Sequence, residues 1–165
     1  DQDNVGFGAS VAAAGDVNGD GYGDVVVGAP RHDEGSEEIG PVLVFHGSAS
    51  GLSATPDWDE VEEICGDFVV AHWFGYPVTS AGDMDGDGFD DLAMGSLFAD
   101  RDGMNVGEVR IYRGSAEGLR DCASWTITGT ADLHVLNYSQ LRLVGGGHQH
   151  HVRQGAQIAD VEAAS

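Results

Sequence analysis

Apolar positions along this chain come in short runs separated by clusters of Gly, Asp, Ser and Pro, and no stretch sustains a helical period. Ser10–Gly15 and Asp24–Gly28 read as strands, Val42–Phe45 as a third, and the stretch from Trp58 to Ile64 as a fourth. Short β-prone runs bounded by turn formers are strand signals rather than helix signals. The same order returns further on, with Asp91-Leu92-Ala93-Met94 in the second place, Val109–Tyr112 in the third and Trp125–Thr128 in the fourth. The pattern predicts an all-β fold built from units of four antiparallel strands.

The two units share one register. Asp83 lies 83 − 16 = 67 positions after Asp16, and the same offset pairs Phe7-Gly8 with Phe74-Gly75 and Ala14-Gly15 with Ala81-Gly82. It also pairs Gly28 with Gly95, Gly47-Ser48 with Gly114-Ser115, Gly51-Leu52 with Gly118-Leu119, and Trp58 with Trp125. No insertion or deletion interrupts it. Internal repeats of this kind mark solenoids, propellers or arrays, and a four-stranded unit in tandem is the layout of a propeller blade.

Between the first two strands of each unit stands an acidic, glycine-rich loop. Asp16, Asn18 and Asp20 occupy alternate positions in the first, and Asp83, Asp85 and Asp87 in the second. A curled loop turns such side chains toward one centre, where Ca²⁺ takes roughly six to eight oxygen ligands. The backbone carbonyls of Tyr22 and Phe89, at the seventh position, and the carboxylates of Asp24 and Asp91, at the ninth, complete the candidate sets. Mg²⁺ fits less well, since it keeps several waters and demands stricter octahedral geometry. An EF-hand is excluded, because its twelfth-position glutamate is here Val27 or Met94, and β-prone residues follow instead of a helix. The competing reading is a metal-free Asp/Gly turn, which gives no reason for clustering three or four acids that repel one another.

Phe7-Gly8, the Asp16–Asp24 loop and Gly28-Ala29-Pro30 together resemble the FG-GAP repeat of integrin α-subunit β-propellers and their bacterial relatives. The second copy keeps Phe74-Gly75 and the loop but has Gly95-Ser96-Leu97 in place of Gly-Ala-Pro. The likeness covers about residues 1–129. It implies two complete blades, over residues 1–66 and 67–129, with Ca²⁺ held structurally on one face of the disc and partner surfaces elsewhere. Residues 130–165 are expected to be a degenerate partial blade or a tail.

A third copy would place Phe-Gly at 141–142 and a metal aspartate at 150, where the chain has Leu141-Arg142 and His150. Leu133–Val144 is strand-like and fits the start of another blade, Gly145-Gly146-Gly147 reads as a turn or flexible joint, and Gln154–Ala164 as a short helix or a disordered end. His148, His150 and His151 cluster near the end, but in a glycine-flanked terminal segment we assign them no metal. Two blades alone leave an apolar face and an open edge, both of which invite association. The expected resolution is a homo-oligomer completing a propeller, or a longer chain; the start at Asp1, just before Phe7, fits a cut or processed boundary.

Charge narrows the partners. The chain has 28 acidic residues against seven basic ones, all arginine, for a net charge of −21. Two Ca²⁺ would offset only four of those charges. Such a surface argues against nucleic acid and anionic lipid, and no apolar run is long enough for membrane insertion. Cys65 and Cys122 stand at non-equivalent repeat positions, and whether they are bridged is left open by the sequence. No nucleophile elbow, H-E-x-x-H or phosphate loop is present. The expected function is therefore not enzymatic: a calcium-binding module for extracellular or cell-surface adhesion or protein–protein interaction, with the variable segments Arg31–Gly40 and Ala99–Val106 forming the partner surface. The alternatives are a glycan-binding propeller, in which Trp58 and Trp125 stack on sugars, and an accessory domain of a secreted hydrolase or lyase.

Overall fold

The structure, a computed structural model, describes residues 6–30, 41–60, 70–101, 104–105, 107–129, 142–144, 151–154 and 157–160. Every regular element among the described residues is a β-strand. β1 (Ser10–Gly15), β2 (Asp24–Gly28), β3 (Val42–Phe45) and β4 (Trp58–Glu60) form one antiparallel meander in sequence order. β5 (Val70–Gly82), β6 (Asp91–Arg101), β8 (Glu108–Tyr112) and β9 (Trp125–Thr128) form a second, and β7 (Met104–Asn105) pairs with the far end of β6. These are two propeller blades of four antiparallel strands. β10 (Arg142–Val144), β11 (His151–Gln154) and β12 (Gln157–Asp160) pair in a further small antiparallel sheet.

Register follows the side-chain alternation. In the first blade Val26 pairs with Val44 and Val44 with Trp58, all three buried, while Val27 pairs with Leu43 and Leu43 with Asp59 on the other face. Because the side-chain period is two, a slip of one residue would turn this buried row out to water.

Two expectations are corrected. Of the variable segment Ala99–Val106, Ala99–Arg101 is strand rather than loop, ending β6 with Ala99 paired to Ala71 and Asp100 to Val70; Met104–Asn105 is β7, and Ala99 is fully buried. Asp100 is paired on both sides, with Val70 and Asn105, which satisfies backbone groups that a loop would leave to solvent. The end of the chain is neither helix nor coil at Gln157–Asp160, which pairs with β11. Arg31–Gly40, Val61–Ile64, Leu133–Leu141, Gly145–Gly147 and His148 and His150 lie outside the described residues.

One hydrophobic cluster spans both blades, joining Val26, Val42, Val44 and Trp58 of the first to Phe74, Leu92, Met94 and Tyr112 of the second. Trp58 meets Tyr112 edge-on across this boundary, with ring centroids 5.5 Å apart, a favoured aromatic geometry. β5 lies across β1 and β2 so closely that a Cβ on Gly28 would stand 2.0 Å from the Gly75 carbonyl oxygen. Ser10 Oγ donates to that same oxygen.

Repeat-equivalent residues have opposite fates. Phe74 is 0% exposed whereas Phe7 is 64% exposed, and Leu119 is 5% exposed whereas Leu52 is 53% exposed. The second blade's members are covered by the first blade, and nothing among the described residues covers the first blade's own. Each side chain so covered is worth about 1.5–3 kcal/mol.

Candidate metal centre

Both acidic loops connect the first two strands of their blade and share one hydrogen-bond scheme. In the first, Asp16 Oδ1 accepts the Asp20 N–H at 3.0 Å and Oδ2 accepts the Gly21 N–H at 2.8 Å. Asn18 Oδ1 also accepts from Asp20, at 3.1 Å, and Asp20 Oδ1 accepts from Tyr22 at 2.9 Å. The second loop repeats this with Asp83 accepting from Asp87 at 3.0 Å and Gly88 at 2.9 Å, Asp85 from Asp87 at 3.2 Å, and Asp87 from Phe89 at 3.1 Å. Gly19 and Gly86 hold φ of +71° and +79° at the tight bend, a conformation that a side chain would strain.

Curling brings the alternate acids together. One carboxylate oxygen from each of Asp83, Asp85 and Asp87 lies within 4.8 Å of the others. Three hard oxygen donors converging in an exposed loop fit a hard divalent cation, and without a compensating charge they repel. The first loop has the same backbone path but an amide, Asn18, in the middle place.

Asp24 and Asp91 stand deeper, at the base of their loops, and are almost fully buried. Asp24 Oδ2 accepts from Val17 N–H at 2.9 Å and Oδ1 from Gly47 N–H at 2.8 Å. Asp91 repeats the pair with Met84 at 2.9 Å and Gly114 at 3.1 Å. Each carboxylate thus ties the start of its loop to the turn after the third strand, and each oxygen keeps a lone pair. Burial pushes the Asp91 carboxyl above the usual aspartate range; the Met84 and Gly114 N–H groups oppose that, and Asp87 and Asp83 add to it. Tyr22 and Phe89 put their N–H groups into the loops, while their rings differ: Tyr22 is exposed and Phe89 packs against Gly19 of the other blade.

Two residues that the spacing argument passed over belong to this region. Asp90, at the position of Gly23, accepts the Asp16 N–H at 2.8 Å, and its own N–H donates to the Asp16 carbonyl at 3.0 Å. Arg113, at the position of His46, puts Nη2 against Asp85 and within 3.4 Å of Asp87. Both were visible only as departures from the repeat, an Asp for Gly and an Arg for His. The tryptophans are already engaged, Trp58 in the core and Trp125 under the Arg113 guanidinium at 5.8 Å. Cys122 is disulfide-bonded, and Cys65 lies outside the described residues.

The FG-GAP repeat family matches residues 7–45 and 75–112, each segment holding one loop and the first three strands of one blade. The chain carries two FG-GAP repeats. The chain is similar to integrin α-subunits: it is 41% identical over 96 residues to integrin alpha-PS2 of Drosophila melanogaster, covering 58% of this chain and 7% of that protein. Integrin alpha-4 of Xenopus laevis is 38% identical over 125 residues, covering 75% of the chain and 11% of that protein. Integrin alpha-6 of Homo sapiens is 32% identical over 123 residues, covering 74% and 10%. The chain thus spans about a tenth or less of the length of these relatives. Among the described residues no helix is long and apolar enough to cross a membrane, which says nothing of strands that cross one.

Proposed function

We propose that this FG-GAP chain is a calcium-stabilised propeller module of an extracellular or cell-surface protein, serving adhesion or protein–protein interaction rather than catalysis. One Ca²⁺ sits in each loop, on Asp16, Asn18, Asp20, the Tyr22 carbonyl and Asp24, and on Asp83, Asp85, Asp87, the Phe89 carbonyl and Asp91. The role of the ion is structural. The convergence of Asp83, Asp85 and Asp87 carries this reading, and the integrin α relatives supply its context. Binding the folded loops and not the unfolded chain, the ion stabilises the fold by mass action.

The first loop also forms the joint between blades, through Asp16–Asp90 and the Ser115 N–H donated to the Val17 carbonyl at 3.1 Å. An ion on Asp16 therefore stiffens that joint as well as its own hairpin. Phe7, Tyr22 and Leu52, bare on the first blade, await a preceding blade, supplied by another copy in a ring or by more of the same polypeptide. The glycan-binding alternative loses its support, since Trp58 is buried and Trp125 is covered by Arg113. No partner is assigned to the acidic surface, and nucleic acid and membrane insertion are not expected of it.

The test is solution mass by light scattering together with thermal unfolding, in Ca²⁺ and in excess EGTA. A melting temperature raised by Ca²⁺, with a discrete multimer that dissociates in EGTA, is the expected result. A calcium-insensitive melting curve overturns the structural role of the ion. A monomer that still melts higher in Ca²⁺ overturns ring assembly alone.

A further inference from the structure

The two loops share a backbone but not a charge plan. Where the first blade has Asn18 and His46, the second has Asp85 and Arg113, at the same two repeat positions. Both exchanges meet in space. Arg113 leaves the end of β8 and reaches back over the loop, with Nη2 against Asp85 Oδ2 and within 3.4 Å of Asp87 Oδ2. The Trp125 ring supports the guanidinium from the other side, 5.8 Å from its centroid. In the first blade the His46 imidazole is turned away, lying against Gly118 of the second blade.

The oxygens show what the arginine does. In the first loop Asn18 Nδ2 donates to Asp20 Oδ2 at 3.3 Å. An aspartate at that place has no donor, and in the second loop Arg113 Nη2 supplies one to the equivalent atom, Asp87 Oδ2. The guanidinium adopts this position although its Nε is buried without an acceptor, a loss that the attraction of two carboxylates must outweigh.

Building on the calcium reading above, we propose that Arg113 is a tethered counter-cation of the second loop. It neutralises part of the Asp83, Asp85 and Asp87 cluster, holds the loop folded when no ion is bound, and sets the Ca²⁺ affinity of that loop below what three aspartates alone would give. Among the described residues no such charge stands at the first loop, which responds to Ca²⁺ alone. The two sites are then tuned separately, the first as the calcium-dependent joint between blades and the second as a loop that stays formed at low calcium. Arg113 is a positioning and tuning residue and takes no place among the ligands. One positive charge beside a divalent ion at the distance of an ion pair in water weakens binding by about tenfold or more.

Backbone resonances can resolve the two loops in one sample. Gly21 and Gly88 N–H groups each bond to the first aspartate of their own loop, at 2.8 and 2.9 Å, so their amide shifts during a Ca²⁺ titration report the loops separately. Arg113→Gln is expected to lower the Gly88 midpoint about tenfold while the Gly21 midpoint stays within about twofold, and the change should shrink as NaCl is added. In EGTA the same variant should speed hydrogen exchange at Gly86 and Gly88. Arg113→His at about pH 8, which keeps a ring to rest on Trp125 and carries no charge, repeats the test should the glutamine variant not fold. Arg113→Lys, which keeps the charge, should move the midpoint less than either. A Gly88 midpoint unchanged or raised by losing the charge overturns the proposal while leaving the calcium reading intact. Amides that do not respond to Ca²⁺ at either loop overturn both.

Discussion

Asp90 of the second blade and Asp16 of the first are joined by two hydrogen bonds, from Asp16 N–H to Asp90 Oδ2 at 2.8 Å and from Asp90 N–H to the Asp16 carbonyl at 3.0 Å. Asp16 opens the first acidic loop, so blade docking and loop geometry depend on one residue. The second bond is backbone to backbone and survives any substitution but proline.

Asp90→Gly, which restores the residue that the first blade carries at this position, removes only the carboxylate. A charge-assisted bond to a partly buried N–H contributes about 1.5–3 kcal/mol, and partial exposure brings the expected loss to about 1–2 kcal/mol in urea unfolding. Calcium affinity at the first loop should fall with it, while the second loop, read through Gly88, stays unchanged. An equal loss at both loops would mean that Asp90 acts on the fold at large.

Gly19 and Gly86 make a controlled pair. Both hold positive φ, but a Cβ on Gly19 would stand 2.5 Å from Cε1 of Phe89, whereas one on Gly86 meets nothing within 4 Å. Alanine at either site strains the backbone by about 1 kcal/mol. At Gly19 it also displaces the Phe89 ring from the joint, for a further loss of about 1–3 kcal/mol. Thermal melts of the two variants compare these directly, and equal effects would show that the ring does not hold the blades.

Phe74→Ala should destabilise by about 3–5 kcal/mol, since it empties a fully buried site between the blades. Phe7→Ala, at the equivalent position on the bare face, should change the stability of the isolated chain by no more than about 0.5 kcal/mol. Under ring assembly it should nonetheless lower the multimer fraction in light scattering. A multimer indifferent to Phe7 would place the contact elsewhere.

Glu60, buried at the end of β4, gives the fold a pH dependence that is independent of the acidic loops. Burial pushes its carboxyl up to about 7; Arg110 opposes that shift, and Asp121 and Asp59 add to it. The folded state therefore holds a proton that the unfolded chain, with an ordinary glutamate, has already released. This contribution is fully present below about pH 4.5 and is lost as pH rises through about 7. In EGTA, stability should fall by about 1–3 kcal/mol between about pH 5 and pH 8 on this account. Glu60→Gln should flatten that decline and raise the melting temperature at pH 8, and a decline that persists would assign it to other groups.

The strands of both blades were legible because their signals are local. Val42–Phe45 and Trp125–Thr128 are apolar runs cut off by turn formers, and the repeat confirmed each reading by its copy. The acids of the second loop were legible for the same reason, since Asp83, Asp85 and Asp87 stand at alternate places in one short segment and their oxygens converge. The extension of β6 through Ala99 to Arg101 was not, because its pairing with Val70 and Ala71 joins residues far apart in the chain. The same holds for Gln157–Asp160, whose composition suits several conformations until β11 lies beside it.

By itself, then, the sequence determined the all-β class, the blade repeat and the oxygen-rich loops, each of which follows from neighbours along the chain. Only the tertiary structure decided that Phe74 is buried while Phe7 is bare, that Asp90 grips Asp16, and that Arg113 reaches Asp85. Those outcomes depend on which sheet face meets which, and residues equivalent in the repeat part company because only the second blade has the first to cover it.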